Sequence, residues 1–285
     1  MIKPSVNHRP ILLTNVLLFF ALILSACAAP AASPTPIPPT QTLLPPTATQ
    51  TAPLPTASLV PTETPLPAPD LCSPLDGIPL AQLAGMISNP YHPPVAGSDD
   101  PHQGVDFAIT LPDSQVAVAG HTVNNILAGV VAAINPERFP YGRAVLVETP
   151  LSDLPAEWLA ALAPEPDPAP PAPISLSCPA GVDPVWDAGS RSLYILYAHL
   201  EDTADLQPET RVTCGQILGT LGMSGNALNP HLHVEIRVGP AGLRFSSMAH
   251  YDASASLEEM AAYCAWRVGG RFQLVDPLTL LALAE

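Results

Sequence analysis

His231-Leu232-His233-Val234-Glu235-Ile236-Arg237-Val238 alternates without a break, with His, His, Glu and Arg on one side and Leu, Val, Ile and Val on the other. A period of two is the mark of a β-strand, and the β-branched apolar side fits one. Leu232 and Val234 belong to a core, so His231 and His233 are presented side by side on a rigid floor. A pair of surface histidines on a half-exposed strand would share this pattern. The octet therefore decides the fold before it decides the chemistry.

Short β-branched runs separated by Gly, Pro and Asn recur outward from it: Val105–Thr110, Ile126–Ile134, Arg143–Thr149, Ser192–His199, Gln216–Leu221 and Arg271–Val275. Many short strands at this spacing predict a mainly β domain with antiparallel sheets over 71–285. Two stretches interrupt it and read as insertions. The first, about 151–191, holds a short helix over Pro155–Leu162 and then the Pro-rich run Pro164–Pro171, which suits neither strand nor helix. The second, about 240–270, holds a helix capped by Ser256 and running to Val268. Glu258 and Glu259 lie in its first turn, and Ser256 and Glu259 have capping-box spacing.

The amino terminus has another character. Residues 1–26 carry Lys3, His8 and Arg9, then the apolar run Ile11–Leu24, then Ser25-Ala26-Cys27. The run is short for a membrane span and reads as a secretory signal. Leu24-Ser25-Ala26-Cys27 resembles the lipobox of bacterial lipoproteins, which implies cleavage before Cys27 and a lipid on its thiol. Residues 27–70 are Pro, Thr, Ala and Ser with scattered Leu and only Glu63 and Asp70 as acids, and they cannot bury a core. Extended at about 3.1 Å per residue, such a tether reaches roughly 130 Å.

Loss of Lys3 and Arg9 with the signal leaves eight arginines against 25 acids, a net charge of −17. That balance disfavours nucleic acid and anionic lipid headgroups as partners and suits an exported soluble domain. With Cys27 assigned to lipid, Cys72, Cys178, Cys214 and Cys264 remain, an even number that predicts two disulfides in an oxidising compartment, with three pairings open. A four-cysteine metal site is the alternative, but no C-x-x-C pair occurs.

Chemistry enters with a second histidine stretch, His102-Gln103-Gly104-Val105-Asp106. Val105 and Phe107 share the core face, so Asp106 points away from it, and Gly104 lets the backbone bend so that His102 and Asp106 converge. A further strand, Tyr194–Leu200, carries His199 at its end. Neutral imidazoles and a carboxylate suit Zn²⁺, and three protein ligands with an open fourth position make a catalytic site.

The order His102-x-Gly104-x-Asp106, Tyr197-Ala198-His199-Leu200, Gly215-Gln216-Ile217-Leu218-Gly219, Ser224-Gly225-Asn226 and Pro230–Arg237 resembles the M23 peptidases, the lysostaphin and LytM-type zinc endopeptidases that cut peptidoglycan cross-links. The resemblance runs from about Asn89 to Leu281, with Val275-Asp276-Pro277-Leu278 similar to the close of such domains. It implies antiparallel β-sheets of the duplicated hybrid motif type. It also implies Zn²⁺ on His102, Asp106 and His233, with His199 and His231 as the catalytic pair. The implied substrate is the peptide part of bacterial peptidoglycan, met outside a membrane to which the lipid on Cys27 anchors the chain. The sequence names no protein partner. Some M23-like domains have lost ligands and act as catalytically silent regulators of other wall hydrolases; here all five positions are filled.

Asn89 is the nearest match to the Arg or Asn that such proteins carry before the first motif. Tyr141-Gly142-Arg143 stands where Tyr-Gly-Asn is common, and the 151–191 insertion replaces the turn that follows, so it either narrows the cleft or is a surface elaboration. Glu235 reads as a supporting residue, since a strand lacks the helical spacing of H-E-x-x-H enzymes. Among the other histidines, His121 and His250 take surface roles, and His92 is a candidate for the cleft lining.

Overall fold

The computed structural model describes residues 69–95, 97–163, 176–182, 184–244 and 247–284. The chain divides into units Met1–Val60 and Pro61–Glu285. The signal, Cys27, nearly all of the tether and the Pro164–Pro171 run lie outside the described residues.

The elements in chain order are β1 (Ile87–Asn89), β2 (Val105–Phe107), β3 (Thr122–Asn124), β4 (Gly129–Arg138), β5 (Gly142–Pro150), α1 (Ala156–Ala161), β6 (Val185–Thr203), β7 (Arg211–Val212), β8 (Ile217–Leu221), β9 (Leu232–Arg244), α2 (Leu257–Arg267), β10 (Gln273–Val275) and α3 (Pro277–Leu281). Every strand pairing is antiparallel, in the order β1-β2-β9-β6-β5-β4-β7. β10 adds to β9, and β3 joins through β8 to β6. This is the mainly antiparallel β architecture that the alternation predicts.

Both faces of the central strands are buried. Leu193, Ile195 and Tyr197 of β6 pack with Leu232, Val234 and Ile236 of β9 and with Phe107 in one core. Tyr194, Leu196 and Ala198 face the other way, into a second core closed by Tyr263 and Trp266 of α2. The polar side of β9 therefore lies under a helix: Glu235 is 0% and Arg237 2% exposed, and the Arg237 guanidinium lies 5.0 Å from the Trp266 ring centroid.

The helix caps match their sequence signals. Pro155 precedes α1, and Ser256 caps α2 with both arms of the capping box formed by Glu259. Strand ends differ from expectation for local reasons. Ile126 and Leu127 are buried but lie before β4, since the Ile126 N–H is taken by the Tyr197 hydroxyl at 2.7 Å. β4 continues past Pro136 through a bulge between Asn135 and Arg138, where the missing donor does no harm. β2 stops at Phe107, after which residues 109–118 turn back as a small hairpin. β6 and β9 extend into the two interrupting stretches, where Val185–Arg191 pairs with Pro240–Arg244. Asp187 fills the irregular step by accepting from the Gly189 N–H and the Ser190 hydroxyl.

The cysteines pair as Cys72–Cys214 and Cys178–Cys264. The second bridge fastens the far side of the 151–191 stretch to α2. His250 corrects the sequence reading: it is 5% exposed rather than on the surface, and its ring stacks on Tyr263 at 5.4 Å. No helix among the described residues is long and apolar enough to cross a membrane.

Candidate metal centre and its cleft

Strand register brings the two histidine stretches together. β2 pairs with β9 so that Asp106 sits opposite His233, with Val105 opposite Val234. Side chains at opposed positions share a face, so alternation alone delivers both groups to one spot. Gly104 is there because of close approach rather than a bend: a Cβ on it would strike the Val234 carbonyl oxygen and lie 2.6 Å from His233 Cε1. His102 follows Asp100-Pro101 and folds back over Asp106.

His199 needs a different device. In regular alternation it would share a face with Tyr197 and Ile195, inside the first core. Its φ of 62° turns the side chain out of that pattern, and its N–H is taken by the Tyr141 carbonyl at 3.0 Å. Histidine is among the residues that tolerate this region best. The ring lies 4.7 Å from that of His231 and 5.8 Å from that of His233, centroid to centroid. All five residues singled out from the sequence thus line one cleft of about 1210 Å³.

Hydrogen bonds fix the tautomers. A carbonyl oxygen only accepts, so a ring nitrogen against one must carry the hydrogen. Nδ1 of His102 donates to the Pro90 carbonyl at 2.8 Å, Nδ1 of His199 to that of Ser224 at 2.8 Å, and Nδ1 of His231 to that of Asn229 at 2.7 Å. Each then offers Nε2 as a lone pair. His233 lies between two carboxylates, its Nε2 3.4 Å from Glu235 Oε2 and its Nδ1 2.8 Å from Asp106 Oδ1, so with Nε2 protonated a metal ion at Nδ1 would take the place of the second proton.

Three atoms able to bind a metal converge. His102 Nε2 lies 3.0 Å from Asp106 Oδ1 and 3.1 Å from His233 Nδ1, which itself lies 2.8 Å from Asp106 Oδ1. A cation shared among these atoms, a proton on His233 Nδ1 or a metal ion in its place, reconciles them. The set fits a metal ion, and two imidazole nitrogens with one carboxylate oxygen suit Zn²⁺. The electrostatics favour positive charge at this point. Burial pulls the His233 pKa down, but hydrogen bonds to Asp106 and Glu235 outweigh it and raise it to about 9. Burial likewise raises the Asp106 carboxyl, and its contacts with His102 and His233 overcome that and hold it well below the carboxylate range.

His199 behaves in the opposite sense. Burial, followed by His233 and His231 nearby, lowers its pKa to about 3, so it stays neutral with Nε2 free to accept. Two further residues carry the site. Asn89 places its amide 3.2 Å from Asp106 Oδ2, in the position that its place before the first motif anticipates. Ser224 supplies the carbonyl that orients His199, while its hydroxyl accepts from the Arg143 N–H and donates to the Leu200 carbonyl. Ser224 was visible only as part of a motif, because a backbone acceptor leaves no signature in side-chain type.

The cleft walls come from the 109–118 hairpin, the Phe139–Tyr141 turn, the 226–230 loop and the 240–270 stretch through Tyr251. Among the described residues, none of 151–191 lines the cleft, whereas Tyr251, Tyr263 and Arg267 of the second stretch do. His92 is exposed and does not line it.

A β domain whose cleft gathers two metal-competent histidines and an aspartate beside a second histidine pair has the composition of a metallohydrolase site. Residues 185–244 match the profile of peptidase family M23. That segment holds β6 and β9, with His199, His231 and His233. The chain is similar to the catalytic domain of the prophage-encoded M23 protein EnpA from Enterococcus faecalis, at 19% identity over 63% of this chain and 93% of that one, TM-score 0.33. It is also similar to lysostaphin from Staphylococcus simulans (17% identity, 70% of this chain and 49% of that one, TM-score 0.35) and to a zinc-containing peptidase from Vibrio cholerae (18%, 55% and 34%, TM-score 0.30). The chain thus spans about half the length of lysostaphin and a third of the Vibrio protein. No curated protein matches it.

Proposed function

We propose that this protein is a zinc-dependent endopeptidase that hydrolyses peptide cross-links of bacterial peptidoglycan outside the membrane. The observation that carries the reading is the convergence of His102 Nε2, Asp106 Oδ1 and His233 Nδ1 within about 3 Å of one another, beside the rings of His199 and His231. His102, Asp106 and His233 would hold the ion. Zinc so held supplies Lewis acidity, drawing the pKa of water at its open position toward neutrality and polarising a carbonyl.

The chain's own residues do the rest. Nε2 of His199 or His231 accepts the proton that the attacking water releases, as general base. The same proton then passes to the leaving amine as the carbon–nitrogen bond breaks. The partner imidazole steadies charge on the carbonyl oxygen. The backbone carbonyls of Ser224 and Asn229 accept from Nδ1 of the two rings, so Nε2 is the atom that takes up and returns a proton and that, when protonated, donates to the carbonyl oxygen. A cleft of about 1210 Å³ takes an extended peptide rather than a small amide.

Two variants test the reading. His233→Ala should lose both zinc and hydrolysis of purified sacculi, and His199→Ala should keep zinc and lose turnover by at least about 100-fold. Cleavage by His233→Ala would sink it. Lipid on Cys27 would hold the enzyme at a membrane surface, with the 27–70 tether giving it reach into the wall. Mass spectrometry of the amino-terminal peptide after membrane extraction tests that part.

A further inference from the structure

We propose that Arg267, contributed by α2, is a positioning residue of the metal site that joins the two ligand-bearing segments from behind. The inference rests on the zinc reading above. With 11% of its side chain exposed, Arg267 reaches two acidic groups at once. Its Nη1 lies 3.1 Å from Glu235 Oε2, its Nε 2.6 Å from Asp99 Oδ1, and its Nη2 donates to the Asp99 carbonyl at 2.9 Å.

One partner contacts a ligand, and the other lies on the segment that carries a second. Glu235 faces His233 Nε2 at 3.4 Å, a contact that turns His233 Nδ1 toward Asp106 and His102. Its carboxylate is wholly buried, and besides His233 and Arg267 it is held by Arg237 at 2.6 Å and the Tyr141 hydroxyl at 2.8 Å. Asp99 stands three residues before His102, and Gln103 donates to the Asp99 carbonyl. The hydroxyls of Tyr251 and Tyr263 complete Asp99 at 2.8 and 2.9 Å. Glu235 and Asp99 thus balance Arg237 and Arg267 in a buried network whose two ends carry His233 and His102. Taking away one cation leaves an uncompensated buried carboxylate, which shifts, and the ligand or ligand-bearing segment attached to it shifts with it.

The guanidinium is suited to this because its planar fork serves three acceptors in fixed directions, as a lysine ammonium cannot. The helix that bears it is itself fastened by the Cys178–Cys264 bridge, three residues away, and by its capping box. The 240–270 stretch is therefore part of the metal site's frame, and not only a wall of the cleft.

The test is zinc affinity of the full chain, stripped of metal and titrated in competition with a chromophoric chelator, for the unaltered protein, Arg267→Met, Arg267→Lys, Asp99→Asn and Ser256→Ala. Arg267→Met should weaken binding about 10–100-fold, with Arg267→Lys between it and the unaltered protein. Asp99→Asn, which keeps the shape and removes one arm, should weaken it at least about threefold. Ser256→Ala loosens α2 through its cap alone and should lower Tm while leaving zinc affinity within about threefold. A folded Arg267→Met that binds zinc within about threefold of the unaltered protein overturns the proposal; if that variant does not fold, the same result for Asp99→Asn overturns it. An equal loss in Ser256→Ala also overturns it, because helix anchoring would then suffice. Failure of the unaltered protein to bind zinc would instead remove the zinc reading itself.

Discussion

Gly104→Ala is the smallest change that should disturb the site. The added Cβ would lie 2.6 Å from His233 Cε1 and 2.8 Å from Nε2, and would strike the Val234 carbonyl oxygen. Ordinary contact begins near 3.4 Å, so the ring must retreat by about 0.8 Å, or β2 must part from β9. Neither movement is free, since His233 is 5% exposed and held at Glu235, and Val234 is part of the sheet that pairs with Val105. Overpacking of this kind costs about 1–3 kcal/mol, which at roughly 2–4 °C per kcal/mol for a domain of this size lowers Tm by on the order of 2–12 °C. A displacement near 1 Å at a reacting centre also costs about 100-fold in rate. Thermal unfolding and sacculus hydrolysis on the same preparation measure both. Gly85→Ala is the control, since a Cβ there meets nothing within 4 Å. A Gly104→Ala protein with the Tm and the rate of the unaltered one would refute the packing argument.

Other expectations follow from buried charge and from the bridges. Glu148 is 5% exposed; burial raises its pKa, but Arg244, the Gly242 N–H and the Ser192 hydroxyl outweigh it and hold it below the ordinary value. Such a group contributes stability that is full above its unfolded pKa near about 4.3 and disappears as pH falls through the lowered folded value. Glu148→Gln should therefore lose less stability than the unaltered protein between about pH 7 and pH 3 in denaturant titrations, and equal losses would contradict the assignment. Non-reducing peptide maps should recover Cys72–Cys214 and Cys178–Cys264. Replacing Cys72 and Cys214 by serine, which opens a loop with a sequence separation of 142, should destabilise by about 2–5 kcal/mol in the same titrations.

Much of this molecule is legible in local pattern. The octet from His231 to Val238 has a period that states which residues share a face, and pairing with Val105–Phe107 then needs no more than register to set Asp106 against His233. The helix beginning after Ser256 is announced by its own capping box. What escapes is long-range or conformational. Alternation predicts a polar face on β9, and nothing within the strand says that Trp266 of α2 will cover Arg237. The burial of His250 has the same origin in α2. The left-handed backbone at His199 is a single-residue event that a β-branched run conceals, and without it the histidine would face the core. β1, β3 and β7 are two or three residues long and carry too little sequence to show a period. Cysteine pairing depends on which strands neighbour one another, and four cysteines alone leave three answers open.

The proposed function turns on one zinc ion in this cleft driving peptide hydrolysis. Metal content and sacculus hydrolysis of the full-length protein, measured before chelation, after it and after zinc is restored, test it most directly. One zinc per chain is expected, with activity that disappears on chelation and returns with the ion. Hydrolysis that persists without metal, or a chain that binds no zinc, would contradict it.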